Sequence, residues 1–290
     1  MKKLAILLLI AAICMPIFAS AASEQTSTAT AADYSKMSLD QLKSEIKTIK
    51  KGTLTVATSP DFAPYEFYAI ADDGTPTLAG FDMSLAQYIA DYLGLKLDVI
   101  PMDFDGTLME LQNKNVDLGV AGYSPDPDRA EAMEFSAIYY EGGQSFVTTK
   151  ANASKFKTLE DTNKKEYSVA AQTGSIQMKL ASQFSPNADI IALTKVTDII
   201  AELITGKISG AYIETAVAES YSKNYPDLAI VLDVPYESEG SAIGVSKGNL
   251  ALLEGVNRAI AQAIADGSMA TFVAVANEKA SGNIIEGLLN

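Results

Sequence analysis

The chain has 290 residues, 48% of them hydrophobic and 20% charged, which is ordinary for a folded soluble protein and long enough for two compact lobes. Its formal charge is −14 with no visible basic patch, which excludes nucleic acid and anionic membrane surfaces as partners. Histidine is absent, so the usual general base and the commonest zinc ligand are missing; most hydrolase chemistries are excluded, and neither a metal site nor a cofactor is expected.

Residues 1–21 read as an export signal. Lys2 and Lys3 precede an apolar run over 4–13, and Ala19, Ser20 and Ala21 supply the small side chains a signal peptidase accepts. The run is too short for a permanent bilayer-spanning helix. Cys14 follows Ile13, where a lipid-attachment motif wants a small residue, so a lipid anchor is not expected. Cleavage after Ala21 leaves a chain without cysteine, hence without disulfides, and suits a periplasmic location.

Residues 22–51 are expected to stand outside the main fold. Ser, Thr and Ala dominate 22–38, the composition of a disordered leader. Beyond it Leu39, Leu42, Ile46 and Ile49 recur at helical spacing with Ser38 as N-cap, predicting an amphipathic helix over 38–51.

After Gly52 the pattern alternates between strand and helix, the mark of an α/β fold. The spacing predicts a strand over 53–58, a helix over 82–94 from Asp82 to a stop at Gly94, a strand over 96–101 and a helix over 106–114. Strands over 116–122 and 144–150 follow. A second series runs through a strand at 167–171, a helix at 175–184, a strand at 189–193, a helix at 196–207 and a strand at 208–213. A helix from Thr215, strands at 228–232 and 241–247, and helices over 249–266 and 268–279 complete the chain. Extended segments near 142–148 and 238–243 carry the chain to a second lobe and back. Lobe 1 is then 52–145 with 241–290, and lobe 2 is 146–240. A ligand would sit between them, at strand-to-helix turns.

The segment 121–136, AGYSPDPDRAEAMEFS, is the most informative. It places Arg129 five residues after Ser124, just beyond a buried-strand pattern. A guanidinium fork beside a hydroxyl and free backbone N–H groups suits a carboxylate. For one arginine taken alone, a cap or ion pair on a surface loop is the plainer alternative.

Several ordered blocks then carry a resemblance: TLTVATSPDFAPYEF (53–67), LAGFDMSLAQYIA (78–90), the long block at 102–136, YYEGGQSF (139–146), VAAQTGS (169–175) and GKISGAYIETAVA (206–218). Over about 52–277 the chain resembles the polar amino-acid-binding proteins of ABC importers, the family-3 extracellular solute-binding proteins. The resemblance implies a two-lobed periplasmic-binding-protein-like fold of type II, a two-segment hinge, and a ligand cleft between the lobes.

It also implies roles, position by position. Arg129 corresponds to the arginine that grips the ligand α-carboxylate, assisted by the hydroxyl of Ser124 and by backbone groups at Gly122. Phe62 and Phe104 correspond to the aromatic rings that sandwich the ligand side chain. From lobe 2, Thr173, Gly174 and Ser175 open a helix whose N–H groups close on the same carboxylate. Ile176 departs from the family's Thr or Ser, losing a hydroxyl there, and Glu214 stands where many relatives carry the aspartate that receives the ligand ammonium.

Ser59, Asp61, Glu66 and Gln144 are polar residues at the expected pocket mouth, and Tyr123 replaces an apolar residue and would narrow the pocket. Carboxylates at that mouth favour a basic or polar amino acid. Asp61 and Glu66 facing solvent is the alternative.

The expected function is therefore a monomeric, hinge-closing receptor that captures a free amino acid and delivers it to a membrane permease with its own ATPase subunits. The chain itself shows no phosphate-binding loop. Two rivals remain: a dehydratase on the same architecture, using Glu66 or Glu214 as its acid, and a stand-alone sensory receptor. A receptor fused to its own signalling domain is not expected, since nothing after Gly255 reads as a transmembrane helix joined to one, while the stand-alone form stays open as an alternative.

Overall fold

A computed structural model describes residues 33–71, 73–238 and 240–281. The expected signal peptide and residues 22–32 of the leader lie outside them.

The end of the leader is packed on the fold rather than disordered. Tyr34–Lys36 form a 3-10 turn, and Arg258 donates to the carbonyls of Tyr34, Ser35 and Met37. Helix α1 (Leu39–Glu45) is shorter than its spacing suggests. Ser38 and Gln41 cap it reciprocally, and Leu42 is fully buried. Ile46 leaves the helix and packs beside Gly255, and the Ile49 N–H is taken by Asp117 at 2.9 Å. The segment that follows pairs with the core and cannot continue as helix.

The chain then builds β1 (Thr53–Thr58), a small hairpin sheet of β2 (Asp61–Phe62), β3 (Glu66–Ile70) and β4 (Pro76–Ala79), and helix α2 (Phe81–Leu93). Strand β5 (Lys96–Pro101), helix α3 (Phe104–Gln112), β6 (Leu118–Tyr123), the one-turn α4 (Pro127–Ala130), β7 (Met133–Phe135) and β8 (Tyr140–Glu141) follow. β9 (Gln144–Thr149), β10 (Ser168–Gln172), α5 (Ile176–Phe184), β11 (Asp189–Leu193) and α6 (Val196–Ile204) come next. β12 (Gly210–Glu214), α7 (Thr215–Asn224) and β13 (Leu228–Val234) lead back to β14 (Gly240–Ser246), α8 (Leu250–Ala265) and α9 (Ser268–Ala280).

Two sheets of matching design form two lobes. The first is ordered β5-β1-β6-β14-β7 and the second β11-β10-β12-β9-β13. In each, three parallel strands meet an antiparallel fourth: β14 against β6, and β9 against β12. β14 comes late in the chain, and it pairs with β8 where the two crossing segments run side by side. β1 is buried along its whole length, as a central strand covered on both faces must be. Leu54, Val56, Leu85, Ile89 and Val256 fill one face, while Ala57, Leu111 and Val116 pack under α3 on the other.

The hairpin sheet of β2, β3 and β4 is absent from the sequence expectations because its strands are too short to show a period. It holds the segment after β1 against the start of α2. Gly80 permits this: its φ is +122°, and a Cβ there would lie 1.9 Å from the Tyr65 carbonyl oxygen.

Candidate functional site

The segments that follow β1 and β6 in the first lobe meet those at the ends of β10 and β11 in the second. Asp61 meets Gln172 and Val196, and Arg129 meets Gly174, beyond the carboxyl ends of strands where α/β sheets bind ligands. Arg129 rides on α4, whose first N–H groups are met by the Asp126 carboxylate through Asp128 and Arg129. Its guanidinium carbon lies 5.6 Å from the centroid of Phe104 and 6.0 Å from that of Tyr123. Nη1 donates to the Ser124 carbonyl at 3.2 Å, and Nη2 crosses to the Gly174 carbonyl of the second lobe at 3.0 Å. Among the described residues Arg129 forms no ion pair, and burial lowers its pKa while Tyr123 and Asp126 oppose the change. A partly buried guanidinium whose near partners are neutral carbonyls has unmet capacity for an anion.

Phe104 opens α3 and stands perpendicular to Tyr123 at 5.6 Å. Phe62 leans on Tyr65 at 5.3 Å and covers Gly122. Gly122 has φ +55°, and a Cβ there would meet Phe62 Cε1 at 2.9 Å, so glycine is what lets this ring sit down on the strand end. The Gly122 N–H, expected to face a ligand, instead donates to Asp82 Oδ2 at 3.0 Å. Asp82 was expected only as a helix-starting acid. It also accepts from the Tyr139 hydroxyl at 2.7 Å, and burial lifts it to about 6.

In the second lobe the expected trio of N–H donors is thinner. Thr173 N–H donates to the Leu193 carbonyl at 2.8 Å and Ser175 N–H to that of Gln172 at 3.2 Å. Ser175 Oγ caps α5 by accepting from Met178. Gly174 N–H has no partner among the described residues, and Gly174 itself approaches Asp105 of the first lobe. Ile176 is buried in the apolar core beneath α5, which accounts for a hydrocarbon at that position.

Glu214 caps α7, with one carboxylate oxygen accepting from Val217 N–H at 2.9 Å. The other, Oε1, is buried and without a hydrogen-bond partner among the described residues. It would lie 2.7 Å from a Cβ on Gly142, and the Tyr65 hydroxyl 3.3 Å from that same point. Burial pushes Glu214 to about 7, which Val217 N–H and Tyr65 only partly counter.

The four residues expected at the pocket mouth, and Tyr123 with them, are all buried within the protein. Tyr123 is fully buried, donates to Thr107 Oγ1 at 2.6 Å and packs behind Phe104 on Gly119, so it backs the site without narrowing it. Glu66 is also fully buried, and no donor reaches either oxygen. Burial and the neighbouring carboxylates of Asp82 and Asp61 push it well above the usual range, which favours its neutral form. Gln144 is buried and accepts from Gln177 at 2.7 Å. Ser59 donates to Asp61 at 3.1 Å, and Asp61, lifted by burial to about 6, turns toward Gln172 and Val196 rather than solvent. Sequence reasoning missed Tyr65, Asp82 and Gln172, whose partners Ser241, Tyr139 and Asp61 are remote in the chain. Among the described residues no group of acidic or thiol side chains is arranged to hold a metal.

Comparison with known proteins fits this geometry. Residues 54–274 match the model of the bacterial extracellular solute-binding proteins, family 3. The arginine-binding extracellular protein ArtP of Bacillus subtilis is 32% identical over 201 residues, covering 68% of this chain and 75% of ArtP. The crystal structure of the amino acid ABC transporter substrate-binding protein AbpA of Streptococcus pneumoniae, bound to L-arginine, superposes with a TM-score of 0.77 at 30% identity, covering 84% of this chain and all of AbpA (100%). A cyclohexadienyl dehydratase of Pseudomonas aeruginosa is 26% identical over 183 residues, covering 63% of this chain and 67% of the enzyme.

Proposed function

The chain belongs to the bacterial extracellular solute-binding proteins of family 3, and from that premise we propose that it is an extracytoplasmic receptor for a free amino acid, arginine first among the basic and polar ones. The observation that carries this reading is the Arg129 guanidinium, set against Phe104, tethered only by neutral carbonyls and in reach of both lobes. An α-carboxylate arriving there would replace neutral acceptors with a charged one, a hydrogen bond worth about 1.5–3 kcal/mol. Glu214, with one unsatisfied oxygen, supplies the counter-charge for the ammonium.

Arginine is favoured for a different reason than the sequence suggested. Asp61 and Glu66 are consumed within the protein, so neither is free to pair with a cationic side chain. The phenyl rings of Phe62 and Phe104 remain, and a guanidinium between aromatic faces gains cation–π attraction. ArtP, an arginine-binding protein by name, and AbpA, whose crystal structure holds L-arginine, support this choice.

Closure of the lobes on the amino acid would present the protein to a membrane permease driven by separate ATPase subunits, the protein acting as a monomer outside the cytoplasm. A thermal-shift screen against the twenty amino acids, followed by titration calorimetry, tests the reading. A ligand at one hundred times its Kd should add about 2.7 kcal/mol of stability, and no shift with any amino acid would refute it.

One observation favours a second reading. Glu214 is buried, half-satisfied and poised near neutrality, the condition of a general acid, and a dehydratase stands among the relatives. Incubation with prephenate or arogenate, watching for the aromatic product, separates catalysis from binding.

A further inference from the structure

Asp61 belongs to the first lobe, yet most of its partners belong to the second. It lies in β2, one residue before Phe62, and is only 5% exposed. Oδ2 accepts the Val196 N–H at 2.6 Å and Gln172 Nε2 at 3.1 Å, while its main-chain carbonyl accepts the Tyr221 hydroxyl at 3.1 Å. Ser59 Oγ donates to Oδ1 at 3.1 Å, so both carboxylate oxygens already face donors within the protein.

Val196 is the first residue of α6, and the cap position before it holds Lys195, whose side chain has no acceptor to offer. The N–H groups and positive end of that helix are therefore met by a carboxylate from the other lobe. Gln172 ends β10, two residues before Gly174, and its Nε2 also reaches the Thr194 carbonyl at 3.1 Å. One amide thus ties Asp61 to both the α5 and the α6 entrances.

We propose that Asp61 is an interlobe latch, a helix cap supplied across the cleft to α6, which holds the closed form and positions Phe62 without touching the ligand. This rests on the solute-binding reading. The latch grips lobe 2 from β2, which follows β1, and the Arg129–Gly174 contact grips it from α4, which follows β6, so closure is pinned from the segments beyond two neighbouring strands. Such contacts form only when the lobes meet, and they shift the open–closed population for every ligand alike. A carboxylate that touched the ligand would instead discriminate by ligand charge.

Asp61→Asn keeps the size of the side chain while removing its charge and one acceptor. Titration calorimetry and stopped-flow of the full chain should show arginine and glutamine weakened by the same factor, about 10- to 100-fold, mostly through faster dissociation. Unchanged affinity, or a loss confined to arginine, would overturn the latch. Gln172→Ala should weaken both ligands too and add little on top of Asp61→Asn; fully additive losses would also overturn it. Spin labels at Met109→Cys and Ile204→Cys, exposed positions on the two lobes, in a Cys14→Ser chain report the interlobe distance directly. Asp61→Asn should shift that distribution toward longer distances, and distributions identical in the variant and the parent would sink the proposal. If the unmutated chain binds neither amino acid, the solute-binding reading fails, and the latch is still judged by the distances.

Discussion

Nη2 of Arg129 and the carbonyl of Gly174 meet at 3.0 Å across the cleft, so the residue that defines the first lobe's grip is already held by the second lobe. The contact is between a charged donor and a neutral acceptor. It is one a ligand carboxylate can displace or share, because a guanidinium carries five N–H donors.

Replacing Arg129 by alanine should therefore abolish amino-acid binding, with at least a ~100-fold loss of affinity by calorimetry, since the ligand carboxylate would be buried unpaired. The fold should survive. α4 is capped by Asp126, and Lys179 of α5 still pairs with Asp126 at 2.9 Å and Asp128 at 2.7 Å. Near-normal affinity in Arg129→Ala would mean that the carboxylate is held elsewhere.

Phe62 and Gly122 should fail together. Alanine at 122 must adopt φ near +55° and push Phe62 Cε1 away from a 2.9 Å approach. Strain of about 1–2 kcal/mol is expected from the backbone alone. Thermal melts should show that loss, and calorimetry a fall in affinity. Phe62→Ala should weaken binding by roughly 1–3 kcal/mol while relieving the crowding in a Phe62→Ala/Gly122→Ala pair. Full additivity of the two losses would show that ring and strand end do not depend on one another.

Much of this architecture is legible in the sequence because the periodic elements are long. The helix from Phe81 to Leu93 and the strand from Thr53 to Thr58 bury regular faces and stop at Gly94 and before Ser59 as their patterns indicate. Arg129 could be singled out because it follows the end of a strand pattern, whereas Phe62, Phe104 and Glu214 are marked by the resemblance to the family and not by any period of their own. The polar residues around them could not be placed. Asp61 and Glu66 lie in two short strands whose burial comes from β4, α2 and the opposite lobe, all remote in sequence. An acid beside a turn reads as solvent-facing unless its distant partners are known. Tyr123 was misread for the related reason that its hydroxyl finds Thr107, sixteen residues back, in the core.

Glu214 gives the site a pH signature. In the free protein its carboxyl is held at about 7, so below neutrality a proton occupies the position where the ligand ammonium should bind. Binding must expel it. Affinity should rise as pH increases from about 5.5 to 7.5, with nearly one proton released per ligand near pH 6, read from calorimetry in buffers of different ionisation enthalpy. The free protein should behave oppositely. Its folded pKa lies above the unfolded value, so this group's stabilisation is present at acid pH and fades between about 4.5 and 7, by up to ~3 kcal/mol. Glu214→Gln should flatten both curves, and an unaltered binding curve in that variant would assign the proton to another group.

Glu66 isolates the same physics away from the ligand. Fully buried beside Asp82 and Asp61, it is pushed well above the ordinary carboxyl range. The unfolded chain ionises it near its ordinary value, so unfolding at neutral pH releases a proton, and its contribution to stability declines as pH rises toward the folded pKa. Glutamine is neutral at every pH and has nearly the shape of the protonated acid. Glu66→Gln should match the parent in guanidinium melts at pH 4 and exceed it by ~1 kcal/mol or more at pH 8. A variant destabilised equally at both would show that Glu66 is held by its shape in the packing under α2, and that its charge state is immaterial.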